Sequence, residues 1–410
     1  MEYRVLHTNS QPHPMPHLVV SISGHGFGHV AQTAPALNLL HQLMPHPATC
    51  YWRSQPIAGA GARRLLPPRM LRNAVSKPPK LHITVRSAVP LAHLRARISA
   101  PFTHLPGEGD IGMLMSSALD VRIEESRTAY RTRHADWDAR VADEAHLLRE
   151  LGADMVLSNV GYLALAGAQL AGIPNAALCS LNWSDIYRHH FGDDAIAAQI
   201  QDCYAHADAF LRATPGMAMD DPSTMLRTGL PNLIPVLPIA ATGINRRAEL
   251  NRHLKLSAGE KLVLVSLGGI TSRLPIERWP RIEGVRWLVQ QSWQVWHPDA
   301  IILESLPMSF GDLLASSDAL VCKPGYGSFV EAASCGVPVL YVSRADWPES
   351  PALIAWLQQH GLCREVPREV LEQGMIAEVL EEIWNAPRPM PVIPQGAQQV
   401  AEWLAERLDL

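Results

Sequence analysis

The β-rich run His17-Leu-Val-Val-Ser-Ile-Ser23 stops abruptly in Gly24-His-Gly-Phe-Gly-His29, and beyond it leucines recur at helical spacing through Leu37, Leu39, Leu40 and Leu43. A strand that hands over to a helix through a short glycine loop opens a parallel α/β unit, and few other folds accommodate it. The alternation continues, with residues 153–158 reading as a strand, 162–171 as a helix and 175–178 as a further strand. Residues 261–266 then form a buried strand that runs into Leu267-Gly268-Gly269, a second glycine turn at a strand's carboxyl end. Strands over 300–303, 318–322 and 337–342, a helix over 329–335 and an amphipathic helix over 397–408 complete the pattern. The expected class is α/β, with two Rossmann-like, doubly wound parallel sheets in tandem and a ligand cleft between them.

Pro231, Pro235, Pro238 and Gly243 make a linker. It divides the chain into a domain over 1–235, a second over 236–395, and a terminal helix over 396–410 that can pack back on the first. The stretch from about 56 to 139 holds Pro67-Pro68, Pro78-Pro79 and Pro106-Gly107-Glu108-Gly109-Asp110, which predict loops and short elements.

A chain of 410 residues that is 47% hydrophobic can bury cores of this kind. Its 35 Lys and Arg against 39 Asp and Glu give a net charge of -4, which supplies no footprint for coating nucleic acid. Cys50, Cys179, Cys203, Cys322, Cys335 and Cys363 are scattered without metal-ligand spacing and read as buried thiols in a reducing compartment. His7, His13 and His17 read as part of a solvated arm, and the first seventeen residues lack the apolar core of a signal peptide. The most apolar stretch, 155–174, is broken by Ser158, Asn159, Gln169 and glycines, so a strand and packed helix are expected rather than a membrane span. A cytoplasmic protein is the expectation, with peripheral membrane contact left open.

The loop Gly24 to His29 brings backbone N–H groups to a helix N-terminus, where phosphate or developing negative charge is the natural ligand. Two histidines in such a loop, His25 and His29, are placed to suit proton transfer, since the imidazole group ordinarily titrates near neutrality. The dinucleotide reading is weaker, because His29 stands at the last glycine position and no acidic residue follows at the ribose spacing. A tight structural turn with satisfied histidines is the plain alternative.

The second constellation is Ser317-Asp318, then Lys323-Pro324-Gly325-Tyr326-Gly327-Ser328, then Glu331. Amides at the opening of a helix bind a diphosphate, Ser328 adds a hydroxyl, and the Glu331 carboxylate is expected to accept from ribose hydroxyls. Ser328 and Glu331 also have the spacing of a capping box. Asp136-Trp137-Asp138 spells a metal-binding triplet, but adjacent carboxylates diverge on a helix, and no metal site is assigned. Trp279, Trp287, Trp293 and Trp296 are read as core or contact aromatics.

Taken in order, Gly24 to His29, Asn182-Trp-Ser-Asp-Ile-Tyr187, Leu211-Arg-Ala-Thr-Pro-Gly216, Ser266 to Gly269, Ser317 to Glu331 and Arg344 to Glu349 resemble the glycosyltransferase-like region of plant L-arabinokinases. They also resemble related bacterial predicted glycosyltransferases and, more broadly, GT-B enzymes. That resemblance covers most of 17–365 and implies a GT-B fold with the sugar nucleotide held mainly by the second domain. It implies that His29, with His25 as second candidate, serves the reacting centre. Gly268 and Gly269 match a diphosphate turn, and Lys323, Gly325, Tyr326, Gly327, Ser328 and Glu331 match the diphosphate and ribose site. Gly26, Phe27, Gly28, Asp185, Arg344 and Glu349 fall on the acceptor or sugar side. The implied activity is metal-independent transfer from a nucleotide-diphosphate sugar, as substrate rather than cofactor, to a small or lipid-like acceptor. A nucleotide-sugar hydrolase or epimerase, or a non-catalytic sensor or assembly subunit, are the alternatives. The kinase half of arabinokinase has no counterpart, since no GxxxxGK[ST] loop is present.

Overall fold

A computed structural model describes residues 15–44, 81–107, 109–219, 230–269, 272–344 and 346–410. The first half contains β1 (His17–Ile22), α1 (Gly28–Leu43), β2 (His82–Ser87), α2 (Leu91–Arg97), β3 (Thr103–Pro106), α3 (Ile123–His134), α4 (Trp137–Glu150), β4 (Met155–Asn159), α5 (Tyr162–Ala171), β5 (Asn175–Cys179), α6 (Trp183–Phe191), α7 (Ala195–Ala205), β6 (Ala209–Ala213) and β7 (Leu233–Val236). The second half contains α8 (Arg247–Leu254), β8 (Lys261–Ser266), β9 (Val285–Val289), β10 (Ala300–Ile302), α9 (Phe310–Ala315), β11 (Ala319–Cys322), α10 (Tyr326–Cys335), β12 (Val339–Tyr341), α11 (Ser350–His360), β13 (Cys363–Glu365), α12 (Arg368–Gln373), α13 (Ala377–Asn385) and α14 (Gly396–Arg407).

Every strand pairs in parallel, in the orders β3-β2-β1-β4-β5-β6-β7 and β10-β9-β8-β11-β12-β13. The central strands are apolar without alternation because helices cover both faces of each sheet. Register aligns Val20 with Val85 on one side and with Leu157 on the other, and in the second sheet Ser266 with Cys322. Strand order reverses between β1 and β4 and again between β8 and β11. Open parallel sheets bind ligands beyond the carboxyl ends of such strands.

The two halves also share a local spacing. Gly161-Tyr162 opens α5 and Gly325-Tyr326 opens α10, each after the second switch-point strand. Each helix then ends at the same distance on a left-handed glycine, Gly172 (φ 71°) or Gly336 (φ 65°), followed two residues later by Pro174 or Pro338. In this repeat Asn159 and Lys323 are equivalent, each at the exit of its strand.

One apolar core runs through the inner helix layers of both sheets, from Leu18, Val20 and Leu37 to Leu264, Leu320 and Phe329. Two more cores lie on the outer faces, one around Trp183, Tyr130 and Phe210, the other around Trp287, Val265 and Ile376. α1 packs against α10, and α14 packs against α1 and β7. The Gly396 N–H donates to the Pro238 carbonyl (2.9 Å), which ties α14 to the chain between the sheets.

Several expectations need correction. Residues 81–139 hold β2, β3, α2, α3 and the start of α4, so regular structure fills much of what the prolines suggested was loop. Residues 45–80, with Cys50, and His7 and His13 lie outside the described residues. His17 is no solvated arm: it is buried at the start of β1, its ring against the Leu151 carbonyl (2.9 Å) and the Thr84 hydroxyl (2.8 Å). Trp279, Trp287 and Trp293 are core residues, whereas Trp296 is exposed. Asp136 bonds Arg140 (2.7 Å), and its backbone caps α4. Residues 155–174 form β4 and α5, and no helix among the described residues is long and apolar enough to cross a membrane.

Candidate active site

At the end of β1 the chain turns through Gly26, whose φ of 114° favours glycine, before α1 begins. Among the described residues no side chain caps α1. His29, on its first turn and only 6% exposed, sits beside the end of β4. Its Nδ1 lies 2.8 Å from Asn159 Oδ1. The Asn159 amide cannot be turned over, because Nδ2 donates to Thr33 Oγ1 (3.0 Å), Gln32 Oε1 (3.1 Å) and the His29 carbonyl (3.3 Å). Oδ1 is therefore the acceptor, Nδ1 carries the hydrogen, and Nε2 keeps its lone pair. Gln32 continues the network to Ser180 Oγ (2.7 Å), which donates to Glu349 of the second domain (2.5 Å).

His25 is held differently. Its ring stacks on Trp347 (5.5 Å, 13°) and meets the edge of Trp183 (5.2 Å, 89°). The Met113 N–H points at its Nδ1 (3.4 Å). Burial, then the nearby His29, Arg344 and Lys323, push its pKa down to about 3, so the ring is neutral at working pH. Gly112, with φ 60°, makes room for it, since a Cβ there would lie 2.8 Å from the ring.

Asp110 was not among the expected site residues. It is buried and accepts from Ser23 Oγ (2.8 Å) and Trp183 Nε1 (2.6 Å). Burial raises its pKa, an effect partly offset by the neighbouring His29. Phe27 stacks on His93 (3.5 Å) and against Gly269, where a Cβ would come within 2.6 Å of its ring. The two glycine turns thus meet across the cleft, and Gly28 beside them has open space.

On the facing sheet Gly268 adopts φ 87° and lies next to the Lys323 side chain. Burial, then Arg344, lower the Lys323 pKa to about 8. Gly325 is the N-cap of α10, and among the described residues no side chain caps the helix or claims the amides of its first turn. Arg344, at the end of the next strand, is 4% exposed and stacks on Trp347 at 4.4 Å. Gly268, Lys323 and the helix N-terminus together form a positive corner, and the Arg344 guanidinium lies beside it, near enough for its charge to act on Lys323.

Six expected residues sit in ways their motifs did not predict. α10 starts three residues earlier than expected, which puts Ser328 inside the helix and rules out the capping box with Glu331. Glu331 is 2% exposed and bound to Arg97 of the first domain, with Oε1–Nη1 at 2.5 Å and Oε2–Nη2 at 3.4 Å. The Tyr326 ring is buried between domains, its hydroxyl bonded to the Ile239 N–H (2.9 Å) and the Thr214 carbonyl (3.0 Å), so only its backbone faces the helix opening. Gly327 lets α10 approach α1, since a Cβ there would lie 2.9 Å from Ala31 Cβ. Asp185 is buried on α6, where Asn182 Nδ2 donates to it (2.7 Å), and Glu349 takes hydrogen bonds from Ser180 and Trp347. Among the described residues no group of three or more His, Cys, Asp or Glu is placed to hold a metal ion.

Two doubly wound sheets with opposed switch points define the GT-B glycosyltransferase-like fold, and this chain has it. The glycosyltransferase of kitacinnamycin superposes with a TM-score of 0.54 over 97% of this chain and 96% of its own, at 14% identity. UGT2 of Phytolacca americana, solved with UDP-2fluoro-glucose and pterostilbene, gives 0.50 over 96% and 94%, also at 14% identity. In sequence the chain is a distant homologue of L-arabinokinase of Arabidopsis thaliana, 26% identical over 280 residues, and of an uncharacterized glycosyltransferase of Methanopyrus kandleri, 25% identical over 294. The matches cover 66% and 68% of this chain, but only 26% of the arabinokinase against 83% of the archaeal protein. No protein-family model matches.

Proposed function

We propose that this protein is a metal-independent glycosyltransferase that moves a sugar from a nucleoside-diphosphate sugar to a hydroxyl of a small or lipid-like acceptor. The observation that carries the reading is the pairing of an imidazole bearing a free lone pair, His29 Nε2, with a buried cationic corner on the opposite switch point. In this reading Lys323, Gly268 and the first-turn amides of α10 receive the diphosphate. As the anomeric C–O bond breaks, the negative charge that gathers on the leaving oxygen is met by groups already in place. His29 Nε2 takes the proton of the acceptor hydroxyl as its oxygen bonds to the anomeric carbon, and Asn159 stabilises the imidazolium by accepting from Nδ1. His25, neutral with Nδ1 turned toward the Met113 amide, is a wall of the site rather than its base. The ribose role of Glu331 requires its carboxylate to exchange Arg97 for sugar hydroxyls.

Turnover of a panel of nucleotide sugars, with free nucleoside diphosphate and glycosylated product both measured, tests the reading. Release of nucleoside diphosphate coupled to acceptor glycosylation and lost in His29→Ala is expected. Release with free sugar as the sole product would reassign the protein as a hydrolase.

A further inference from the structure

The Arg344 guanidinium is nearly fully buried, yet its Nε and Nη2 have no hydrogen-bond partner among the described residues. The acidic groups whose charge reaches it are Asp346, Glu349 and Asp120. Asp346 is exposed. Glu349 is committed to Ser180 (2.5 Å) and Trp347 (3.3 Å), and Asp120 to Arg368 (2.9 and 3.2 Å). A desolvated cation with two idle donors costs stability unless a ligand completes it.

The idle atoms are specific. Nε and Nη2 form one edge of the guanidinium, and elsewhere in this protein that edge takes a carboxylate side-on. Arg281 holds Asp299 through Nε (2.9 Å) and Nη2 (3.0 Å), and Arg246 holds Glu249 through Nε (2.9 Å) and Nη2 (2.8 Å). The parallel pair of donors matches the two oxygens of a planar anion.

Location narrows the ligand. Lys323 and the α10 amides already serve the end of β11, whereas Arg344 follows β12 and lies against Trp347. Trp347 in turn stacks on His25, in the loop that carries His29. Arg344 therefore stands on the side of the corner nearest His25 and His29, where the function proposed above, on which this inference rests, puts the reacting sugar between diphosphate and base. We propose that Arg344 binds a carboxylate on the transferred sugar, so that the donor is a nucleoside-diphosphate uronic acid.

The test is a set of calorimetric titrations of the full chain with matched pairs: UDP-glucuronate against UDP-glucose, UDP-galacturonate against UDP-galactose, and GDP-mannuronate against GDP-mannose, with UDP, dTDP, GDP and ADP alone. The acid of at least one pair should bind at least about tenfold tighter than its neutral partner, the size expected for a bidentate charged contact. Arg344→Lys, which keeps the charge but loses the fork, should reduce that ratio to within about threefold while leaving affinity for the bare nucleotide unchanged. Equal affinities within every pair in the parent protein would overturn the proposal without any variant. So would an Arg344→Lys or Arg344→Leu protein that weakens UDP, UDP-glucose and UDP-glucuronate by one common factor, since the fork would then hold the diphosphate. Failure of every nucleotide to bind would overturn the glycosyltransferase reading itself, a result distinct from the other two.

Discussion

The imidazole of His29 donates from Nδ1 to Asn159 Oδ1 at 2.8 Å, and this one contact decides which nitrogen is left to act as a base. The neutral amide holds the ring without placing a charge beside it, and three acceptors on Asn159 Nδ2 prevent the amide from turning.

His29→Ala should therefore lower turnover by about 10²-fold or more, with little change in nucleotide affinity. His25→Ala should reduce turnover less, through loosened packing of Trp347 and Trp183. Steady-state kinetics on both variants checks this, and a folded His25→Ala protein with no turnover would exchange the two roles.

The Lys323 ammonium gives a pH dependence with a definite sign. Its pKa in the free protein is about 8, against an ordinary 10.5. A bound diphosphate favours the charged form, so affinity should fall as pH rises through about 8, and binding above that pH should take up protons. In the ligand-free protein the unfolded chain holds the proton over the window from about 8 to 10.5, so this group makes the fold more stable as pH rises across it. Titrations at pH 7 and pH 9.5, in buffers of different ionisation enthalpy, measure both. Lys323→Met should flatten the slope.

Glu331 and Arg97 join the domains, and the two variants should move affinity in opposite directions. Glu331→Ala should weaken nucleotide binding by about 1.5–3 kcal/mol if the carboxylate takes ribose hydroxyls. Arg97→Leu should tighten it, because the carboxylate is released, while lowering stability by about 3–5 kcal/mol for the buried charge left behind. Thermal melts separate the stability change from the binding change, and an Arg97→Leu protein that binds more weakly would sink the ribose role.

Much of the fold is written locally. β1, α1, β4, α5, β8 and β11 are visible because strands buried on both faces are continuously apolar and their helices keep a separate period. The glycine loops are visible because backbone turning at Gly26 and Gly268 needs that residue type. Asp110, by contrast, stands in a Pro-Gly-Glu-Gly run that reads as turn chemistry, and its partners Ser23 and Trp183 lie 87 and 73 residues away. Asn159 and His29 are 130 residues apart, and Arg97 and Glu331 are 234. Such pairs exist only once the sheets are wound. The late start expected for α10 has a local cause, since two glycines around Tyr326 look like a loop until the domain contact with Ala31 uses one of them as helix surface.

Activity should persist in excess chelator. Charge on the leaving diphosphate is met by Lys323 and the α10 amides in this account, so EDTA should change the initial rate by less than about twofold. Loss of activity restored by magnesium or manganese would show that a cation carries part of that charge.

A nucleoside diphosphate is expected to bind between the two switch points, in the corner made by Gly268, Lys323 and the opening of α10. Calorimetric titration of UDP, dTDP, GDP and ADP into the parent protein and into Lys323→Met tests it most directly. One saturable site is expected for at least one of these nucleotides, with affinity lowered about tenfold or more in Lys323→Met at pH 7. No binding of any of the four, or binding to Lys323→Met as tight as to the parent, would contradict it.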